Sequence, residues 1–376
     1  MRSAMDEATF LKFYSNTLKG FSKGVQSNIC RMLEEEKRII FDNQISLETP
    51  NALLFDVSDR KNFSEIINRT ASNKEFCNFY ERWEFTKLYK YSVPFFFTSE
   101  GSIDIKDSLE QEHINEFIYD KFTPIYIIDT DFEDITPLFT AISDGIFIIK
   151  FIFQKSYPDQ ETEEFIDYRF PVLIYINSKN SFLEIRYDNV MTNPSEKNDK
   201  FYEAIVFNCI KWLKKVLHFN LFLCDHSNTI DVVKDAANKE VVVYKQMMQM
   251  DTGGAAELTA SKQTDYILPF TDEIRELMND NYELFDAAPK IKELISDYLS
   301  EKESTASYPY IYAKWIQPVE SRSYMVKIIF DYFEHQYTLL QHITGNCRDF
   351  GMERMNNAIE YLCQRKAFIR GKEIYC

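Results

Sequence analysis

The sequence predicts a mixed α+β protein with a helical N-terminal region, a central, mostly antiparallel sheet with a packed helix, and a helical C-terminal region. Apolar residues recur at helical spacing in residues 1–95, whereas β-branched and aromatic runs bounded by turn residues replace that spacing in residues 96–247. Helical spacing returns in residues 266–376. Between these last two regions, residues 248–265 include two of the nine glycines, which predicts a linker or mobile loop.

The N-terminal region is predicted to be mainly helical because its apolar side chains repeat at intervals of three and four. A short extended run at residues 52–57 interrupts the helices, and further helices are expected from about Ser58 and over residues 75–91. We expect the aromatic side chains of this region to pack in a core. The positions that define the first two helices are Phe10, Phe13, Tyr14, Leu18 and Phe21, then Val25, Ile29, Met32 and Leu33.

The central region is predicted to form strands around one strong helix. The polar connection Ser178–Asn180 joins two of these strands as a hairpin. In the strong helix, Lys211, Lys214 and Lys215 lie away from the apolar face. The predicted elements are a short helix at 135–143, strands at 125–128, 146–154, 166–177, 181–188, 219–224 and 240–244, and the strong helix at 198–217.

The C-terminal region is predicted to be all helical. Thr271 is the expected N-cap of its first helix. Its longest helix depends on the spacing of apolar residues that include Met325, Ile329 and Tyr332. The predicted helices cover residues 272–279, 288–299, 323–343 and 352–366.

Composition and charge disfavour several classes of function. With 43 basic and 59 acidic side chains the net charge is −16, so the protein as a whole repels polyphosphate and nucleic acid binding needs a local exception. Only nine glycines leave little material for phosphate-binding loops, which disfavours dinucleotide and P-loop enzymes. We therefore predict no cofactor.

The same composition predicts a cytoplasmic protein without a membrane partner. Seven cysteines, an odd number with no CxxC pair, indicate reduced thiols in an intracellular protein. The longest hydrophobic stretch, residues 145–153, is too short to span a bilayer. The 32 phenylalanines and 23 tyrosines, together with abundant Ile, Lys and Asn, suggest an AT-rich coding sequence and hence a low-GC bacterium or its mobile elements.

The order of the central elements carries a resemblance to a known family. The predicted αβββαβ order resembles the restriction-endonuclease-like core, whose PD-(D/E)XK motif places an Asp at the start of the second strand and Glu-x-Lys on the third. The matching positions are Asp167, Glu184 and Arg186, with Arg in place of Lys. The resemblance implies a divalent metal such as Mg²⁺ between the two carboxylates, and nucleic acid as the substrate.

Glu184 and Arg186 also allow a second interpretation. The two residues lie at i and i+2 of one predicted strand, so their side chains share a face. We favour the hypothesis that they form a charge pair on the solvated side of an antiparallel sheet, since such pairs are common there.

From these observations we expect a non-enzymatic cytoplasmic interaction or regulatory protein that acts through protein partners or self-association. The acidic segment 96–160, the linker and the aromatic-rich helices are the features that suggest an interface. The alternative is a metal-dependent nuclease or nuclease-like protein of bacterial defence or a mobile element. Its catalytic residues would be Asp167, Glu184 and Arg186, and its partner would be nucleic acid.

Overall fold

A computed structural model of the chain has an α+β fold, as predicted, and helices form both the first and the last described elements. The chain divides into two compact units, the first made of residues 1–222 and 346–356, the second of residues 223–345 and 357–376. The structure describes residues 6–44, 52–99, 104–121, 135–158, 164–190, 199–224, 240–249, 255–259, 269–305, 307–316, 323–334, 337–343 and 351–373.

The first unit begins with a helical layer, in agreement with the sequence. The Asp6 carboxylate accepts a hydrogen bond from the Thr9 backbone N–H and so caps the first helix. The fourth helix ends at Thr86 rather than Tyr91, because the chain enters a strand at Tyr91. The elements are α1 (Glu7–Lys19), α2 (Lys23–Glu35), β1 (Ile39–Phe41), β2 (Leu53–Phe55), α3 (Phe63–Ala71) and α4 (Cys77–Thr86), with β1 and β2 paired in parallel.

A large sheet follows the helical layer in the first unit. Its strand order is β4-β5-β6-β7-β8-β3, with β9 paired to β3, and the pairs from β5 through β8 to β3 are antiparallel. The elements are β3 (Tyr91–Ser99), α5 (Ile105–Gln111), β4 (Asn115–Glu116), β5 (Leu138–Ser143), β6 (Ile146–Pro158), β7 (Phe165–Asn177), β8 (Phe182–Tyr187), α6 (Asp199–Val216) and β9 (Phe219–Leu223).

From residue 168 to residue 177, strand β7 is buried on both faces because helices cover both sides of the sheet. On one face Phe170 packs edge-on against Phe201 of α6. On the other face Arg169 contacts Tyr14 of α1 and Glu81 of α4. The predicted strong helix, α6, is therefore confirmed as the helix that packs on the central sheet, and the predicted hairpin between β7 and β8 is confirmed as well.

The second unit contains an antiparallel sheet with strand order β11-β10-β12-β13-β14. Trp315 of β12 is fully buried and packs edge-on against Tyr361 of the last helix. The elements are β10 (Val241–Gln249), β11 (Ala255–Thr259), α7 (Pro269–Asp280), α8 (Tyr282–Asp286), α9 (Pro289–Thr305), β12 (Tyr310–Trp315), β13 (Tyr324–Tyr332), β14 (Tyr337–Ile343) and α10 (Glu353–Glu373), of which residues 353–356 belong to the first unit.

The predicted all-helical C-terminal region is wrong for residues 310–343. The expected helix at 323–343 is the pair β13 and β14, in which Tyr324, Val326 and Ile328 are buried at alternate positions. Positive φ angles at residues 331, 333 and 334 interrupt any continuous helix there. The helices predicted around residues 272–279, 288–299 and 352–366 are present.

Two smaller expectations also change. The short helix expected at 135–143 is strand β5, which forms a hairpin with β6 through Gly145 at φ +77°. An Asp-Gly turn favours such a hairpin. Because the first of these elements is a strand and not a helix, the central order is not αβββαβ. In the predicted linker, Ala255–Thr259 form β11 and pair with β10, whereas the strand expected at 125–128 lies outside the described residues. Within the described ranges, no helix combines the length and apolar character needed to span a bilayer.

Candidate functional site

The residues of the predicted metal site lie on β7 and β8. Asp167 is near the start of β7 and is half-buried. Its carboxylate accepts a hydrogen bond from the Ser156 hydroxyl on β6, and its backbone oxygen accepts one from Asn16 Nδ2 at 2.7 Å. The Asp167 carboxylate therefore serves a contact between neighbouring strands.

Strand register keeps Asp167 away from Glu184. Glu184 lies opposite Tyr175 in the antiparallel pair of β7 and β8, and Asp167 is eight residues before Tyr175 on the same face. Eight residues of strand span about 27 Å at roughly 3.4 Å per residue. Because each ligand oxygen lies only about 2.1 Å from a bound Mg²⁺, the two carboxylates cannot share one ion. The metal site expected from the endonuclease resemblance is therefore not formed.

Glu184 and Arg186 do pair with each other, but in the interior and not on a solvated face. Both side chains are fully buried. Arg186 donates to the Glu184 carboxylate through Nη2 and through Nε at 3.0 Å, and the Ser92 hydroxyl donates to the other carboxylate oxygen at 2.7 Å. Arg186 also donates to Asn356 Oδ1 at 2.9 Å, and its guanidinium lies 4.1 Å from the centroid of the Tyr175 ring. The predicted charge pair exists, but its predicted exposure is wrong.

A second buried charge cluster joins α4 to the sheet. Lys150 on β6 and Arg169 on β7 meet Glu81 and Glu84 on α4, and all four side chains are almost completely buried. Arg169 Nη2 lies 2.7 Å from Glu81 Oε1 and 2.8 Å from Glu84 Oε2, and the Tyr14 hydroxyl also donates to Glu81. Two cations and two anions balance in charge, which makes burial of the whole group possible.

The pKa values in this cluster follow from burial and opposite charge. Burial alone would raise the pKa of Glu81, but the adjacent Arg169 and Lys150 outweigh it and lower that pKa to about 2. Burial raises the pKa of the Tyr14 hydroxyl well above its ordinary value. Glu81 is thus an anion at neutral pH, and the cluster is closed to solvent and holds the helical layer on the sheet.

The surface of the second unit offers a different kind of site. Helix α9 buries Leu299, yet Ile291, Leu294 and Tyr298 are 54%, 70% and 56% exposed. Their i, i+3, i+7 spacing places these three side chains on one face of the helix. Leu277, Tyr282 and Leu284 add further exposed apolar area on α7 and α8. Large exposed apolar side chains on three consecutive helices are typical of a surface that a partner covers.

Acidic side chains outnumber basic ones around these exposed apolar residues, although Lys302 shares the face of the stripe, with its Nζ 5.4 Å from the centroid of the Tyr298 ring. Residues 269–305 contain ten acidic and four basic side chains. We call this surface of α7–α9 the acidic helical surface, and it comprises the apolar residues Leu277, Tyr282, Leu284, Ile291, Leu294 and Tyr298 with the exposed acids Glu276, Asp280, Glu283, Asp297 and Glu301.

Sequence reasoning missed this surface although the helices themselves were predicted. The sequence signal for this surface was that the apolar residues of α9 occupy more than one face of the helix. Leu299 is on the buried side, and Leu294 and Tyr298 are on an exposed side. A helix that is apolar on more than one side needs more than one neighbour.

Among the side chains that the structure describes, no three His, Cys, Asp or Glu groups are placed to hold a metal ion.

Comparisons with known proteins add no relative. No protein-family model matches the chain, and no curated protein matches it at a significant level. The architecture is that of an α+β protein with an exposed acidic and apolar helical surface.

Proposed function

We propose that the protein is a non-enzymatic interaction or regulatory protein that acts through protein contacts at the acidic helical surface. The observation that carries this proposal is the exposed stripe of Ile291, Leu294 and Tyr298 on α9. Burial of one large apolar side chain at an interface contributes about 1.5 to 3 kcal/mol, so three neighbouring side chains are enough to dominate a binding site.

The predicted catalytic residues form hydrogen bonds with other side chains of the protein, which supports the same proposal. The Glu184 carboxylate accepts hydrogen bonds from Arg186 and Ser92, and the Asp167 carboxylate accepts one from Ser156. The nuclease alternative has less support, because Asp167 and Glu184 lie too far apart to hold one metal ion. The proposal includes a cytoplasmic, bacterial setting, which the composition suggests.

The test compares the full chain with Ile291→Ser/Leu294→Ser and with the control Phe165→Ser. Phe165 is 74% exposed on β7, so the control also removes an exposed apolar side chain, but outside the surface. Sedimentation velocity measures self-association, and affinity capture from a bacterial lysate measures other partners. We expect the protein and the control to show association that the double variant loses. Identical behaviour of all three proteins in both assays would contradict the proposal.

A further inference from the structure

Helix α6 in the first unit presents an exposed face of opposite charge. Lys200, Phe207, Lys211, Lys214 and Lys215 are all exposed, and Phe207 is 61% exposed. At 100° per residue these five side chains fall within one face of the helix. We call this set the basic face of α6. Buried residues such as Ile205, Val206 and Cys209 occupy the opposite side of the helix.

The basic face of α6 and the acidic helical surface are complementary in both charge and apolar content. One has an exposed aromatic side chain among lysines, and the other has exposed aliphatic and aromatic side chains on helices in which ten acids outnumber four basic residues. Opposite potentials favour encounter and specify orientation, whereas the apolar contact supplies most of the affinity. We propose that the occupant of the acidic helical surface is the basic face of α6 of a second copy of this chain.

The spacing along the two helices fits this contact. Lys200 and Lys214 each lie seven residues from Phe207, on either side of it, which is about 10 Å along the helix axis. Glu301 lies the same seven residues from Leu294. When Phe207 packs against Leu294, a lysine meets Glu301 whether the two helices run parallel or antiparallel. Helices packed at about 8 to 10 Å between axes bring such side chains into contact.

Net charge also disfavours the simpler symmetric contacts. Two acidic helical surfaces facing each other would bring carboxylates together, and two basic faces would bring lysines together. The contact is therefore heterologous, so each copy keeps one face available after pairing and the assembly grows with concentration or closes into a ring. This inference rests on the proposed function, because it names the partner of the same surface.

The experiment uses two variants of the full chain, each of which damages one face. Phe207→Ser/Lys214→Glu changes the basic face, and Ile291→Ser/Leu294→Ser changes the acidic helical surface. Sedimentation velocity follows the wild type, both variants, their equimolar mixture and the Phe165→Ser control. All substituted side chains are exposed, and circular dichroism checks that the variants remain folded.

We expect the wild type and the control to associate and each variant alone to associate at least about tenfold more weakly. The equimolar mixture should form a heterodimer and stop there, since each variant still contributes one intact face. Raising the salt from about 0.1 to about 0.5 M should shift the wild type toward monomer, because exposed charges are then screened.

The outcomes separate this inference from the proposed function. A monomeric wild type, a mixture that stays monomeric, or wild-type association of Phe207→Ser/Lys214→Glu would overturn the second-copy inference. If Ile291→Ser/Leu294→Ser alone then loses association or a captured partner, the acidic helical surface remains the binding surface. If that variant behaves as the wild type in every assay, both proposals fail.

Discussion

Removing Glu184 should destabilise the protein strongly, because it leaves the charge of Arg186 buried without its counter-ion. Arg186 is fully buried and makes two hydrogen bonds to the Glu184 carboxylate. Its other contacts, Asn356 Oδ1, Met352 Sδ and the Tyr175 ring, carry no formal charge. Breaking a buried ion pair from one side costs about 3 to 5 kcal/mol. We therefore expect Glu184→Leu to lower the free energy of unfolding by about that amount.

A double variant separates the loss of the pair from the loss of packing. Glu184→Leu/Arg186→Met replaces both charges by apolar side chains and leaves no isolated charge in the interior. Such replacements are often neutral or even stabilising, so the double variant should be more stable than Glu184→Leu alone. If the loss of unfolding free energy in the double variant equals the sum of the losses in Glu184→Leu and in Arg186→Met, the two charges do not interact energetically.

Urea unfolding followed by circular dichroism measures the effect. With a slope of about 2 kcal/mol/M, the midpoint of Glu184→Leu should fall by about 1.5 to 2.5 M. The control is Asp144→Asn, which breaks the exposed ion pair of Asp144 with Lys179 at 3.0 Å. Exposed pairs contribute no more than about 1 kcal/mol, so this midpoint should move little. If Glu184→Leu moves the midpoint no more than the control, the reasoning is refuted.

Three further predictions concern the first unit. Because the pKa of Glu81 is lowered from 4.5 to about 2, its contribution of about 3 kcal/mol is complete above about pH 5 and is lost as the pH falls toward 2; acid titration of the unfolding free energy tests this, and a flat profile would contradict it. Gly351→Ala would place a Cβ 2.5 Å from the Thr86 backbone oxygen, so we expect a loss of about 1 to 3 kcal/mol in thermal or urea unfolding, whereas unchanged stability would refute this close approach. Burial raises the pKa of the Cys77 thiol to about 12, so mass spectrometry should detect its alkylation at pH 8 only after urea is added, and rapid native labelling would disprove its protection.

The elements that could be predicted are those in which only one periodicity fits. In α6, apolar residues follow helical spacing and lysines fill the remaining side, so no strand pattern competes. Between residues 323 and 343 nearly every second and every third position is apolar, and both patterns can be traced. The buried side chains Tyr324, Val326 and Ile328 follow the strand alternation, which their β-branched and aromatic character favours.

The register of the predicted hairpin already separates the two carboxylates of the predicted metal site. Asn177 lies opposite Phe182 across the turn, and pairing outward from there brings Tyr175, not Asp167, opposite Glu184. Motif matching placed the two carboxylates by element order alone, without counting register. The acidic helical surface could not be predicted in this way, because exposure of Leu294 depends on which tertiary neighbours α9 has.

The return of residues 346–356 to the first unit has a consequence for the order of folding during synthesis. Met352 Sδ and Asn356 Oδ1 both accept hydrogen bonds from Arg186, and the Met352 backbone N–H donates to Thr86. The ribosome must translate residues 223–345, which belong to the second unit, before these partners emerge. At about 5 to 20 residues per second, the nascent first unit waits roughly 6 to 25 seconds with its buried arginine incompletely enclosed. This interval exposes the first unit to aggregation and to chaperone binding before its core is complete.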